Sequence, residues 1–138
     1  MKNFIIDVDG VMTTGQFLYD NNGKSHKIFG PDDSDGLEMI KDHINIRFLS
    51  ADKRGFEISK KRIHDDMGYK INLVSSKERL EWINKRFSLE ETIYMGDGFF
   101  DHLIMKEVGY SIAPNNSDKN AKDAADFVTK RSGGDRAV

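Results

Sequence analysis

Phe4-Ile5-Ile6-Asp7-Val8-Asp9-Gly10 constrains this chain more than any other stretch. Its apolar start, rich in β-branched residues, reads as a buried strand. Two aspartates alternate with a valine directly after it, and a glycine then turns the chain. In open α/β sheets the ligand crevice lies at the carboxyl ends of the strands, so charged groups that emerge here face that crevice. Two carboxylates two residues apart repel each other and lose solvation unless a cation sits between them. An oxygen-binding divalent ion such as Mg²⁺ supplies that charge.

The rest of the chain reads as a frame for this site. Val11 to Gly30 carries two β-type runs around Asp20-Asn21-Asn22-Gly23, a hairpin signal. A hairpin alone is marginal, so Phe17, Leu18 and Tyr19 need something to pack on, another subunit or the parent domain. A short helix around Leu37 to Ile40 follows an acidic turn, then a strand from Ile44 to Ser50. Apolar spacing predicts a helix over 54–67 closed by Gly68, a strand over 69–74, and a helix opened by Ser75 or Ser76. Strand 92–95 ends at Gly96-Asp97-Gly98; helix 99–108, strand 110–113, helix 116–125 and strand 127–128 complete the series. Strands and helices thus alternate, the pattern of a doubly wound α/β domain with a parallel sheet. One domain over 1–138 is expected, with the hairpin insertion at about 11–30 and a mobile tail at about 131–138.

Composition narrows the function. A formal charge of −2 gives no basic footprint for nucleic acid. There is no cysteine, hence no disulfide framework and no thiolate metal site. No apolar run reaches the ~20 residues of a membrane span and the start lacks a signal-peptide pattern, so a cytoplasmic, membrane-free protein is expected. His26, His43, His64 and His102 share no spacing. A calcium loop is excluded because Val11 occupies a position that requires an oxygen ligand.

Polar residues close several strands: Asp7 and Asp9 the first, Ser50 the second, Asp97 the fourth, with Lys77 opening the helix after the third. In a parallel sheet these points share one edge. A carboxylate can attack phosphorus, a bound Mg²⁺ can offset the developing charge, and a hydroxyl and a lysine can hold the remaining oxygens. A second acid can protonate the leaving oxygen and then deprotonate water.

Asp7-Val8-Asp9-Gly10-Val11, Phe48-Leu49-Ser50, Lys77 and Gly96-Asp97-Gly98-Phe99-Phe100-Asp101 resemble, in order, the motifs of the haloacid dehalogenase superfamily. The likeness covers about the whole chain and is greatest to its small capless branch, similar to 3-deoxy-D-manno-octulosonate 8-phosphate phosphatases. The resemblance implies a Rossmann-like sheet without a cap domain and Mg²⁺-dependent phosphomonoester hydrolysis through an aspartyl phosphate. The implied substrate is a sugar-acid phosphate of surface-polysaccharide (lipopolysaccharide) assembly. A nonulosonate 9-phosphate or other small phosphate, or a catalytically reduced scaffold, is the alternative.

Carried over by position, Asp7 is the implied nucleophile and a metal ligand. Asp9 is the implied acid/base, ligating through its backbone carbonyl, and Asp97 is a further ligand. Asp101 supports the metal or positions Lys77. Ser50, Ala51 and Lys77 bind the phosphoryl group, and Thr13, Asp33, Arg54 and Arg62 fall on the substrate side. The branch assembles as homotetramers whose hairpins cover neighbouring sites. Two departures stand out: Ala51-Asp52 replaces the usual Gly-Arg, and Asp32-Asp33-Ser34 replaces Arg-Asp-Gly. A receiver-like signalling domain is the competing class, but it phosphorylates an aspartate after the third strand, and Tyr69–Val74 ends without one.

Overall fold

The computed structural model describes residues 1–138. Its strands are β1 (Asn3–Asp7), β2 (Thr13–Asp20), β3 (Gly23–Phe29), β4 (Asn45–Ser50), β5 (Lys70–Leu73), β6 (Thr92–Met95), β7 (Tyr110–Ala113) and β8 (Phe127–Val128). Its α-helices are α1 (Asp33–Ile40), α2 (Phe56–Lys60), α3 (Arg79–Asn84), α4 (Asp101–Met105) and α5 (Lys119–Ala124). Six strands form one parallel sheet in the order β5-β4-β1-β6-β7-β8, and β2-β3 form a separate antiparallel hairpin. No helix is long and apolar enough to cross a membrane.

The central place of β1 follows from its sequence. Successive side chains on a strand point to opposite faces, and a parallel strand covered on both faces must be apolar throughout. Phe4, Ile6 and Val8 join one buried cluster with Leu37 of α1, Phe48 of β4 and Ile63. Ile5 joins the other with Leu49, Ile83 of α3, Tyr94 of β6, Ile104 and Met105 of α4 and Ala121 of α5. Serving both layers takes a strand inside the sheet, and β4 and β6, which also feed both clusters, flank β1 in register: Asp7 pairs with Leu49 and Ile6 with Met95.

Two local features differ from the expected elements. The helix expected over 54–67 is α2 followed by a π-helical stretch, Lys61–Asp66, whose wider turns place Met67 N 3.1 Å from Arg62 O, five residues back. Apolar spacing cannot separate the two, because Ile63 is buried in either. The helix after β5 starts only at Arg79; Ser75 Oγ donates to Glu78 Oε2 (2.9 Å) rather than capping a backbone amide.

The segment from 131 onward, expected as a mobile tail, is placed against the body. Gly133 N donates to Asn116 Oδ1 (2.7 Å), Asn116 Nδ2 donates to Gly10 O (2.9 Å), and Ala137 and Val138 pack on the first cluster. Arg136 pairs with Asp32. Asp33, at the start of α1, is only 3% exposed and neither carboxylate oxygen has a hydrogen-bond partner. Burial raises its pKa to about 6, against a smaller pull from the nearby Val138 backbone. A carboxyl with a raised folded pKa favours the fold most below its unfolded value and costs stability as pH rises through about 6. Urea unfolding of Asp33→Asn should therefore show a flatter loss of stability between pH 4 and 6, and at pH 8 a gain on the order of 2 kcal/mol. An unchanged pH profile would mean that Asp33 titrates as an ordinary surface acid.

Candidate active site

Three strand ends converge as the register dictates. Asp7 is the last residue of β1, Ser50 the last of β4, and Asp97 lies just beyond the end of β6. One oxygen each of Asp7, Asp97 and Asp101 lie within 4.8 Å of one another. Gly10 makes the closeness feasible: its φ is +82°, and a Cβ there would stand 2.0 Å from Asp97 Oδ2. The cleft above, about 250 Å³, is lined by Asp7, Asp9, Ala51, Asp52, Ser76 and Arg79, with Phe99 and Phe100 at its side.

Arg79 faces the carboxylates. It is 2% exposed, and its Nη1 lies 3.1 Å from Asp7 Oδ1 and 3.5 Å from Asp101 Oδ1 while donating to Tyr94 Oη at 2.9 Å. Tyr94 Oη donates in turn to Asp101 Oδ1 (2.5 Å), and Gly98 N donates to Asp101 Oδ2 (2.8 Å). Both oxygens of Asp101 are thus held, which fixes its carboxyl at the edge of the cluster. The sequence carried a signal for Arg79 that motif matching passed over. Arg79 stands four residues before Ile83 and eight before Phe87, on the apolar stripe of α3, where a charge needs a buried partner.

Asp9 turns away from this group. Its carboxylate meets Lys27 of β3, with Nζ 2.9 Å from Oδ1 and 3.1 Å from Oδ2, and Ser50 Oγ lies 3.5 Å from Oδ2. Lys27 also reaches Asp52 Oδ2 (2.9 Å) and Ser59 Oγ (2.8 Å), and Lys24 reaches Asp52 Oδ2 (2.7 Å). Burial pushes the Asp52 carboxyl up, but hydrogen bonds from Lys24 and Lys27 dominate and take it to about 2. The aspartate at the lip is therefore neutralised by the hairpin.

The remaining expected site residues fall in different places. Ser50 is fully buried beneath the cleft, and its Oγ accepts from Asp52 N (3.2 Å). Thr13 is fully buried and its Oγ1 accepts from Gly10 N and Gly15 N, both at 3.1 Å, so it shapes the loop after β1. Lys77 is not brought to the carboxylates: its Nζ lies 5.9 Å from the Phe100 ring centroid, outside the cleft that Arg79 lines. Arg54 is exposed at the start of the segment leading to α2. Arg62 lines a separate groove with Asp35, Glu38 and Tyr69, and Asp33 is buried outside the cleft.

The donor set fits a divalent cation. With all three carboxyls ionised, Asp7, Asp97 and Asp101 carry three negative charges against the one positive charge of Arg79, a net charge of minus two that burial and mutual repulsion resist. All the donors are hard oxygens, the kind Mg²⁺ takes. The carboxyls report the deficit. Burial raises the pKa of Asp7, aided by the charges of Asp101 and Asp9 and opposed by Arg79, and burial together with Asp7 raises that of Asp97.

Removing one partner of a buried ion pair strands the other charge, at about 3–5 kcal/mol. Arg79→Met should lower stability by that order in chemical denaturation, while Arg79→Lys, which keeps the charge without the fork, should lose less. A loss below about 1 kcal/mol for Arg79→Met would mean that the guanidinium does not hold the carboxylates.

Comparison with known proteins agrees with this geometry. The sequence profile of the haloacid dehalogenase-like hydrolases matches residues 11–135. The 3-deoxy-D-manno-octulosonate 8-phosphate phosphatase of Haemophilus influenzae is 34% identical over 143 residues, covering 97% of this chain and 76% of its own. The cobalt-bound structure of the Haemophilus influenzae phosphatase superposes with a TM-score of 0.86 at 31% identity, covering 99% of this chain and 82% of that one. The Moraxella catarrhalis phosphatase, solved with magnesium, phosphate and the sugar acid, gives 0.76 at 25% identity over 100% of this chain and 81% of its own. With the family profile spanning nearly the whole sequence and the carboxylates gathered at the strand ends, the chain belongs to the haloacid dehalogenase-like hydrolases, on their phosphatase branch.

Proposed function

We propose that this enzyme hydrolyses the phosphomonoester of a sugar acid, such as 3-deoxy-D-manno-octulosonate 8-phosphate, in the cytoplasm, through a phosphorylated Asp7. The observation that carries the reading is the gathering of three carboxyls, Asp7, Asp97 and Asp101, with Arg79 as their one cationic partner, at the floor of an open cleft. Such a group calls for a dication, and the magnesium, phosphate and sugar acid bound by the Moraxella relative are the ligands this chemistry requires. When bound, Mg²⁺ held by Asp7, Asp97 and the Asp9 backbone carbonyl would offset charge on the phosphoryl oxygens.

Asp7 attacks phosphorus as the bond to the leaving oxygen breaks, and Asp9 gives that oxygen its proton. Water then attacks the aspartyl phosphate and passes a proton to Asp9, releasing inorganic phosphate and restoring Asp7. Ser50 and the backbone at Ala51 hold the transferring oxygens. Arg79 supplies the positive charge beside Asp7 that the resemblance assigns to Lys77, and its Nε has no protein acceptor. Asp101 keeps Arg79 and Tyr94 in place.

The hairpin supports a homotetramer. Phe17, Leu18, Tyr19 and Ile28 are each between 44% and 62% exposed, an apolar patch of the kind that marks an interface. A triple serine variant at Phe17, Leu18 and Tyr19 should elute as a smaller species in size-exclusion chromatography with light scattering. An unchanged mass would place the subunit contact elsewhere.

The central test is phosphate release across a panel of sugar and sugar-acid phosphates after metal stripping and Mg²⁺ addition. Activity on eight- or nine-carbon sugar-acid phosphates is expected to depend on Mg²⁺ and to disappear in Asp7→Asn. Release from none of the panel would sink the reading.

A further inference from the structure

Lys27 is the one cation in contact with Asp9, and it comes from the hairpin rather than from the sheet. Its side chain is 1% exposed. An ammonium has three protons, and here three partners take them: the Asp9 carboxylate, Asp52 Oδ2 and Ser59 Oγ. No proton is left for a substrate oxygen, and solvent does not reach the group. Lys27 therefore cannot act as a substrate-binding lysine, although it lies one side chain away from the reacting centre.

What the contact does is fix Asp9. The Asp9 side chain is one-third exposed, and the only other polar side chain touching its carboxylate is Ser50, at 3.5 Å. Asp52 faces the same ammonium, so without Lys27 the two carboxylates would share a surface compensated by Lys24 alone. Repulsion would then drive Asp9 out of its setting. The packing is close: at Gly55 a Cβ would stand 2.3 Å from Asp52 Oδ2 and 2.7 Å from Lys27 Cε, so the backbone there closes directly on the lysine stem. Asp52 itself is anchored by the backbone amide of Gly55, which donates to Oδ1 at 3.1 Å.

We infer that Lys27 is a positioning residue for proton transfer: anchored by Asp52 and Ser59, it aims the Asp9 carboxyl group at the leaving oxygen. The inference rests on the phosphatase reading above. It also explains the aspartate at position 52, where the resemblance predicts an arginine. That acid anchors the lysine that holds the acid/base, and seating the hairpin and setting Asp9 become one event.

The distinguishing readout is leaving-group dependence. An alkoxide needs a proton to depart, whereas p-nitrophenolate leaves without one. Lys27→Met is measured with p-nitrophenyl phosphate and with whichever alkyl phosphate of the panel the wild type turns over fastest. The expected result is a fall of about 10²-fold in the first-turnover release of the alcohol from the alkyl ester, and less than about tenfold in that of p-nitrophenolate, the water step that follows being common to both. Where the single variant fails to fold, the charge-balanced double variant Lys27→Met with Asp52→Asn should show the same split. Equal losses on both esters, or no loss on either, would overturn the inference and leave Lys27 a purely structural tie. A wild type that hydrolyses no alkyl phosphate would remove the phosphatase reading itself, and the inference with it.

Discussion

The structure depends on how the carboxylates at the end of β1 are compensated. A central parallel strand must be apolar to lie between two helical layers, and Phe4, Ile5 and Ile6 satisfy that. The same burial makes a carboxyl at the end of the strand costly, because charge leaves water as the sheet forms. Asp7 is 8% exposed and would repel Asp97 and Asp101. One guanidinium, delivered by α3 and itself tied to Tyr94, makes the arrangement tolerable without neutralising it. What remains when the carboxyls are ionised is an excess of two negative charges, the deficit that a divalent cation would meet.

A second group of charges lies beside the first and differs in kind. Asp9 and Asp52 meet Lys27 and Lys24, so two carboxylates face two ammonium groups and their charges balance. Neutral, closed networks hold geometry, while open, charged ones take up ligands. Under the proposed mechanism this separation has a use: the nucleophile would lie with the metal, and the proton carrier where the leaving group departs. The hairpin, which leaves the body straight after the aspartates, is what brings lysines to the second group.

The motifs that carry the resemblance stand at the strand ends, and the departures read from the sequence stand at the lip. Asp52 in place of an arginine looks, in the sequence, like a loss of positive charge beside an anionic substrate. In three dimensions the charge is restored from the hairpin by Lys24 and Lys27. Because both ammonium groups are engaged with aspartates, the restored charge ties the hairpin to the loop after β4.

The sequence by itself determined the sheet and its edge. Alternation of short apolar runs with helical spacing forces a parallel, doubly wound order, and the aspartates after β1 and β6 then share one side because all strand ends do. Those relations are local or follow from topology, so residue order suffices. The partners of the carboxylates were decided only by tertiary structure. Lys77 is the motif match, yet Arg79, two residues on, is the one whose side chain turns into the core, since the helix starts at Arg79 and its rotation about its axis decides which residue faces inward. Lys27 reaches Asp9 across eighteen residues only because the hairpin folds back over α2. Asp33 is buried because the chain near Val138 returns to cover it. Each of these contacts depends on how two separately formed elements are set against each other, and spacing along the chain carries no record of that distance.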